Sequence, residues 1–248
     1  MPRLDDGMET HKLAGNFSFS GTRINKLGAT EYTLVTIAVD ETGSVELFAD
    51  QLRQMLIAAV ESCKKSPRSD NLLIRVVTFS SKYRTGVNEI HGFKPLAEID
   101  TNTYPSLQPG GMTPLNDACY SAIGAQNAYG EQLIGQDFSC NGILFVITDG
   151  DENASSTTAG MVKNEAEKAV SGEILESCIS ILIGINATAL AKILSDFQKE
   201  AGITQFIDAG EVNPRKLAKL AAFVSQSVSS QGQALGTGGP SQNISATI

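Results

Sequence analysis

Oxygen-bearing side chains occupy three separate stretches of this sequence. The first stretch supplies Asp40, Thr42 and Ser44, the second supplies Thr113, and the third supplies Asp149. Together they offer two carboxylates and three hydroxyls, and no imidazole or thiolate belongs to any of the three motifs. Such a hard, all-oxygen set suits Mg²⁺, with Mn²⁺ or Ca²⁺ as alternatives, and suits zinc or copper poorly. Two carboxylates would roughly neutralise Mg²⁺, so water or an outside carboxylate would complete its shell.

Two of the three stretches directly follow a predicted buried strand. Residues 33–39 are almost all β-branched or aliphatic and end at Asp40, and residues 143–147 are similarly apolar and lead to Asp149. Continuous apolar runs of this length are typical of strands that are buried on both faces of a parallel sheet. Because parallel strands end at the same edge, where open α/β sheets bind ligands, we expect Asp40 and Asp149 to lie at one edge.

The rest of the chain alternates further strands and helices. The apolar spacing predicts the following elements: strands at 72–79, 179–185 and 205–207, a polar edge strand at 82–89, a loop over most of 90–112, and helices at 45–63, 114–129, 158–171, 187–200 and from Pro214. This alternation predicts an α/β fold with a doubly wound, mostly parallel central sheet, helices on both faces and one antiparallel edge strand.

The chain is predicted to form one domain with two extensions. The α/β domain covers residues 31–229. Residues 1–30 form an N-terminal leader, which we expect to be mobile over 1–15 and to contain a possible edge strand where Phe17 and Phe19 alternate with polar residues. Residues 230–248 are rich in Gly, Ser and Gln and are predicted to be a flexible tail.

Composition narrows the class of partner. The 248 residues are 42% hydrophobic and 19% charged, as in ordinary globular proteins. A net charge of −8 disfavours a nucleic-acid partner and favours a cation or a basic protein surface. No segment approaches the roughly 20 apolar residues of a membrane span, and the first ten residues lack the apolar core of a signal peptide. These features predict a cytoplasmic protein with no membrane partner.

The four cysteines are widely spaced and form no Cys-x-x-Cys pair: Cys63, Cys119, Cys140 and Cys178. This pattern favours small buried side chains in a reducing compartment over disulfides or metal ligands.

The three oxygen-bearing motifs resemble those of the von Willebrand factor A domain family. The family's first motif, Asp-x-Ser-x-Ser, corresponds to residues 40–44, which read Asp-Glu-Thr-Gly-Ser. Thr42 stands where the family has its first serine, and it keeps the hydroxyl group. The family's threonine in a Gly-rich loop matches Thr113, and its Asp-Gly after a central strand matches residues 149–150. The resemblance covers about residues 31–229. It implies a metal-ion-dependent adhesion site ringed, directly or through water, by Asp40, Thr42, Ser44, Thr113 and Asp149.

The resemblance also implies what such a site does. In the family, an acidic residue of a partner protein often supplies the remaining metal ligand, so the chain is expected to be a protein-binding module and not an enzyme. Bacterial cytosolic members often work beside ATPases, kinases or stress-response complexes, which implies a role of that kind.

Other interpretations of the same residues stay open at this point. Residues 40–44 could be an ordinary strand-to-helix turn with a helix cap, and Thr113 could cap the helix that Pro114 opens. A second function is a Mg²⁺-dependent phosphohydrolase or phosphotransferase using Asp40. No second aspartate or motif-placed lysine supports that chemistry, and the P-loop and Gly-x-Ser-x-Gly motifs are absent. A third is a scaffold in which the metal is incidental.

The remaining polar candidates have simpler interpretations. Residues 151–153 are expected to form a solvated acidic loop. Asp117 lies in the first turn of its predicted helix, where its negative charge is expected to stabilise the helix through the helix dipole. His11 and His91 have no partner at a metal-binding or catalytic spacing, so neither is predicted to be functional.

Overall fold

The computed structural model describes residues 7–171, 174–211 and 213–237. Its eight strands form one sheet in the spatial order β1-β2-β5-β4-β3-β6-β7-β8. The strands are β1 (Met8–Lys12), β2 (Ser18–Thr22), β3 (Glu31–Asp40), β4 (Leu72–Phe79), β5 (Val87–Pro95), β6 (Ser139–Thr148), β7 (Cys178–Ile185) and β8 (Gln205–Gly210). The helices are α1 (Ala49–Cys63), α2 (Leu115–Ile134), α3 (Ala159–Ser171), α4 (Ala191–Glu200) and α5 (Pro214–Thr237).

The sheet is mostly parallel, which confirms the predicted fold class. Strands β4, β3, β6, β7 and β8 are successive parallel neighbours. Strand β5 is antiparallel to β4, β2 is parallel to β5, and β1 forms the antiparallel edge strand beside β2. Strand β3 therefore lies in the interior of the sheet, between β4 and β6, and its carboxyl end is flanked by the carboxyl ends of both.

Helices cover both faces of the sheet. Alternate residues of β3 pack into different cores: Val35 and Ile37 lie in a cluster with α1 and α5, whereas Ala38 lies in a cluster with α2, α3 and α4. This double coverage explains the uninterrupted apolar sequence of β3, because neither of its faces meets water.

The N-terminal segment differs from its prediction, because residues 8–12 form β1 instead of a mobile leader. Strand β1 pairs with β2 in register from Met8 opposite Thr22 to Lys12 opposite Ser18. Phe19 of β2 is buried, and its ring stacks on His11 with a centroid distance of 4.8 Å. The predicted hairpin arm at Phe19 is therefore present, and its contacts hold the preceding strand in place.

Two other boundaries also differ. The strand placed at 82–89 is β5 at Val87–Pro95, and it is not an edge strand because Gly21 of β2 pairs with Phe93. The closing helix α5 continues to Thr237, into the segment predicted to be a flexible tail. Its Gln231 is fully buried and accepts a 2.9 Å hydrogen bond from Asn141 Nδ2 at its carbonyl oxygen. The remainder of the predicted tail, residues 238–248, and the first six residues lie outside the described part of the chain.

The cysteines are free thiols, and three of them are buried as expected: Cys63, Cys119 and Cys140, with Cys178 partly buried. Burial raises the pKa of the Cys63 thiol to about 11 and that of Cys140 to about 12. In the part of the chain that the structure describes, no helix is long and apolar enough to cross a membrane.

Candidate metal centre

Asp40 ends β3 and is completely buried. Its Oδ1 accepts a 2.8 Å hydrogen bond from the backbone N–H of Thr42, and its Oδ2 accepts a 2.6 Å hydrogen bond from the hydroxyl of Thr148, the last residue of β6. Burial raises the pKa of Asp40 to about 6, with a smaller contribution from the nearby charge of Asp149. The two hydrogen bonds lock the carboxylate in one orientation at the edge of the sheet.

A chain of hydroxyl contacts connects the first motif to the third. Thr42 Oγ1 lies 3.0 Å from Ser44 Oγ, and Ser44 Oγ donates a 2.7 Å hydrogen bond to Asp149 Oδ1. Thr42 occupies the N-cap position of the 3₁₀ helix Gly43–Phe48, yet its side chain makes no capping hydrogen bond. The interpretation of Thr42 as an ordinary helix cap is therefore wrong, since its hydroxyl contacts the Ser44 hydroxyl instead of the helix N-terminus.

Thr113 is held against the third motif by Asn153. The Thr113 N–H donates to Asn153 Oδ1 over 2.7 Å, and the Asn153 N–H donates to the Thr113 carbonyl over 3.1 Å. Thr113 Oγ1 lies only 3.0 Å from the position that a Cβ on Gly150 would occupy, which explains the glycine there. Helix α2 begins at Leu115, and its N-cap residue is Pro114 with no side-chain capping hydrogen bond, so the alternative interpretation of Thr113 as the helix cap is not supported. The structure thus places all five candidate residues at one edge of the sheet.

Glu41 is a site-organising residue that the sequence did not single out. Its Oε1 accepts from the backbone N–H of Gln108 over 2.5 Å, and its Oε2 accepts from the Tyr83 hydroxyl over 2.6 Å. Its carbonyl accepts from the Gly110 N–H over 3.1 Å, and Lys82 forms a 3.1 Å ion pair with its carboxylate. Burial opposes ionisation, but these hydrogen bonds outweigh burial and lower the pKa of Glu41. Glu41 therefore anchors the Gly-rich loop beside the first motif.

The acidic loop after Asp149 is structural, and the expectation of a merely solvated loop is wrong for Glu152. This carboxylate accepts from the N–H of Asn116 in the first turn of α2 over 2.7 Å and from Ala154 and Ser155 in its own turn. Asp117 likewise accepts from the backbone and hydroxyl groups of residues 156–157. Both acids join α2 to the loop after β6 and so stiffen the backbone that carries Thr113 and Asp149.

The histidines lie away from this edge. His91 Nε2 is 2.8 Å from the Tyr104 hydroxyl, and burial is the main cause that lowers the pKa of its imidazole. His11 stacks on Phe19, as described above. Both are accounted for by packing and by hydrogen bonds within the fold.

The donor set fits a divalent cation that prefers oxygen. Within the described segments, no group of three or more His, Cys, Asp and Glu side chains is arranged to hold a metal, so a metal site at this edge would need other oxygen donors beside its two carboxylates. The centre pairs two carboxylates with three hydroxyls, and within those segments no lysine or arginine forms an ion pair with either carboxylate. Burial raises the pKa of both carboxyls. A cation at this edge would supply the missing positive charge.

Comparisons with known proteins bear on the fold. Neither the protein-family models nor the curated proteins gave a match. Among solved structures, the pilus adhesin SpaC from Lactobacillus rhamnosus GG in its open conformation is similar, with 11% identity and a TM-score of 0.54 over 90% of this chain and 32% of the adhesin. A second form of SpaC has 12% identity and a TM-score of 0.56 over 90% of this chain and 33% of that one.

The mussel byssus proximal thread matrix protein 1, in a structure with a zinc-occupied MIDAS motif, is 16% identical, with a TM-score of 0.50 over 82% of this chain and 47% of that one. This chain spans about a third of the adhesin and about half of the mussel protein. These likenesses support a fold of the von Willebrand factor A type, and at such identities they concern the fold alone.

Proposed function

We propose that this chain is a divalent-cation-dependent protein-binding module. The observation that carries the proposal is a hydrogen-bonded network of oxygen atoms at the carboxyl edge of the parallel strands. In this network the Asp40 carboxylate contacts Thr148 and the Thr42 N–H, and the hydroxyl of Thr42 contacts that of Ser44, which donates to Asp149. These contacts orient four candidate ligands before any ligand binds. The fifth, Thr113, is positioned by its mutual hydrogen bonds with Asn153.

Mg²⁺ is the cation proposed for this site, with Mn²⁺ and Ca²⁺ as alternatives. Asp40, Asp149 and the hydroxyls of Thr42, Ser44 and Thr113 would hold it, some directly and some through water. Mg²⁺ bound by hard oxygens keeps water ligands that another oxygen can replace. When bound, the metal would supply a Lewis-acidic position that takes up an anionic oxygen. Because the mussel protein's motif holds zinc in its structure, zinc belongs among the ions to be tested.

The partner is proposed to be a protein that offers one Asp or Glu side chain to the metal. Two protein carboxylates leave a divalent cation close to neutral, so the open position favours a single further anionic oxygen. The overall charge of −8 favours a partner that is otherwise neutral or basic around that acid. A place in a bacterial ATPase-, kinase- or stress-associated complex is the setting that the family resemblance suggests.

The burial of Asp40 weighs against the phosphohydrolase alternative. A carboxylate that attacks phosphorus needs an oxygen exposed to the substrate, but Asp40 has no exposed surface and both of its oxygens accept hydrogen bonds. In this geometry Asp40 is suited to orient the other candidate ligands, or to contribute to a cation site through them or through water.

A cytoplasmic location is part of the proposal. It is supported by four free cysteines, since an oxidising compartment selects for disulfides in small domains. Fractionation of the source cell tests the location, because a cytoplasmic protein is released only when the cells are lysed and is protected from added protease until then.

The metal site is tested by thermal unfolding of the full chain with Mg²⁺, Mn²⁺, Ca²⁺ or Zn²⁺ titrated into metal-free protein. We expect a saturable rise in Tm that corresponds to about 2.7 kcal/mol at a metal concentration 100 times the Kd. Asp149→Asn, which preserves the shape of the side chain and removes its charge, should abolish the metal-dependent rise in Tm. The matched control is Asp50→Asn, which removes the same charge from an exposed residue of α1. A rise that persists in Asp149→Asn would place the metal elsewhere.

A further inference from the structure

Two exposed apolar side chains flank the candidate metal centre. Among the described residues, five large hydrophobic side chains are exposed, and the two most exposed are Leu47 at 92% and Met112 at 57%. The other three are Ile134, Met161 and Ile193, which lie on the helices α2, α3 and α4 and not on the segments that carry candidate ligands. Isolated exposed hydrophobic residues are common on protein surfaces. Here, however, the two most exposed ones, Leu47 and Met112, both lie on segments that carry candidate ligands.

The position of Leu47 follows from the 3₁₀ helix Gly43–Phe48. In a 3₁₀ helix, side chains three residues apart lie on the same face and are separated by about 6 Å along the axis. Leu47 is three residues after Ser44, so its side chain stands on the face that presents the Ser44 hydroxyl. The neighbours Val45 and Phe48 are buried, and they fix this orientation by packing into the core.

Met112 is held outward by its backbone. Its N–H donates to Ser81 Oγ over 2.8 Å, and its carbonyl accepts from the Ser81 N–H over 2.9 Å. Met112 immediately precedes Thr113, and its side chain is exposed. The Gly43 N–H donates to the Gly111 carbonyl over 3.1 Å, so the loops that carry Leu47 and Met112 touch beside the metal centre.

We infer that Leu47 and Met112 form an apolar clamp that selects partner segments in which the metal-liganding acid is flanked by apolar side chains. This inference rests on the proposed function, because the clamp acts only on a segment that the metal has anchored. Further acids next to the liganding carboxylate are disfavoured by the negative charges of Glu46, one residue before Leu47, and of Asp151, two residues after Asp149. Apolar neighbours would instead bury the aliphatic surface of Leu47 and the adaptable thioether of Met112.

The test uses three capped pentapeptides as probes: Gly-Leu-Asp-Leu-Gly, Gly-Ser-Asp-Ser-Gly and Gly-Leu-Asn-Leu-Gly. Binding to the full chain is measured by calorimetry with saturating Mg²⁺ and with EDTA. We expect the Leu-flanked Asp peptide to bind about tenfold more tightly than the Ser-flanked one. In the double variant Leu47→Ser/Met112→Ser, that preference should fall to about twofold or less, with the affinity for the Ser-flanked peptide unchanged. The matched control is Met161→Ser/Ile193→Ser, which removes two exposed hydrophobic side chains elsewhere and should keep the tenfold preference.

The outcomes separate the clamp from the metal site. Equal Mg²⁺-dependent binding of both Asp peptides, or a preference that survives in Leu47→Ser/Met112→Ser, overturns the clamp and leaves the proposed function standing. Binding of the Asp peptides that survives EDTA, or that does not exceed binding of the Asn peptide, overturns the proposed function and the clamp with it. If sedimentation shows a Mg²⁺-dependent dimer that Leu47→Ser abolishes, the occupant is a second copy of this chain and the inferred partner class is wrong.

Discussion

Asp40 at the end of β3 and Arg75 within the adjacent β4 are both completely buried, but their surroundings differ. Arg75 Nε donates a 2.6 Å hydrogen bond to Glu89 Oε2, and Glu89 Oε1 in turn accepts from the backbone and hydroxyl of Ser20. Asp40 has only amide and hydroxyl donors, and the charge that contributes to its raised pKa is that of another acid, Asp149. The fold therefore supplies a counter-charge for the arginine and none for the aspartate.

Arg75 is part of a partly buried ion pair that connects three strands. The Arg75–Glu89 pair joins β4 to β5, and through Ser20 it reaches β2, so the N-terminal hairpin depends on it. Arg75 still has two Nη groups with no side-chain or backbone partner among the described residues, and desolvation lowers the pKa of its guanidinium. A buried charge that lacks a partner in the chain is energetically unfavourable, and under the proposed function a bound cation would supply the partner of Asp40.

The largest effect is expected from Glu89→Gln, which leaves Arg75 buried without its counter-charge. We expect the free energy of unfolding, measured by urea denaturation, to fall by about 3–5 kcal/mol. Asp196→Asn is the control, because it breaks a solvent-exposed pair with Lys192 and should leave the free energy of unfolding almost unchanged. A loss in Glu89→Gln no larger than in the control would show that the pair contributes little.

Asp40→Asn, unlike Glu89→Gln, should not destabilise the metal-free protein. The amide keeps the shape and can still accept from Thr42 and donate to Thr148, while the uncompensated charge is removed. Without metal, we expect the unfolding free energy to be equal to or above that of the original chain. With metal at 100 times the Kd, the variant should lack the stabilisation of about 2.7 kcal/mol. A large loss of stability in metal-free Asp40→Asn would mean that the carboxylate serves the fold and not a cation.

The smallest effect concerns pH and His91, which lies beside the Arg75–Glu89 pair. Burial first, and then the charges of Lys94 and Arg75, lower the pKa of His91 in the folded state, against the opposing effects of a hydrogen bond to Gly92 and the charge of Glu89. The unfolded chain therefore binds this proton more readily, so the stability that the neutral imidazole contributes is present above about pH 6.5 and is lost progressively as the pH falls below it. Urea denaturation from pH 7.5 to 5 should show a shallower decline for His91→Gln. If the free energy of unfolding declines equally with pH in the original chain and in His91→Gln, the pKa of His91 is not lowered by folding.

The meeting of Asp40 and Asp149 was predictable from the sequence. Both follow uncharged apolar runs, and such runs become neighbouring parallel strands whose ends share an edge. The hydrophobic periodicity likewise located α1, α3 and the apolar stripe of α5, since these signals are local. The metal-ligand roles of the five residues remain a proposal that the tests above address.

Other features depended on contacts between distant parts of the chain. Glu41 lies in a variable place of the first motif, and its role arises only because Gln108, more than sixty positions later, folds back onto it. The β1 strand is polar and short, and pairing with β2 alone accounts for it. Nothing in the local sequence marks residues 231–237 as helical, but burial of Gln231 against Asn141 extends α5 there.

The sequence by itself determined the fold class, the ends of the central strands and the chemistry of the oxygen donors, because apolar periodicity and residue type are local properties. Tertiary structure decided which hydroxyl faces which carboxylate, that Thr42 and Thr113 are not helix caps, and that Leu47 and Met112 flank the centre. It also decided that Arg75 has a counter-charge and Asp40 has none. These features are set by distances between residues far apart in the chain, which packing fixes and which no local pattern of residues encodes.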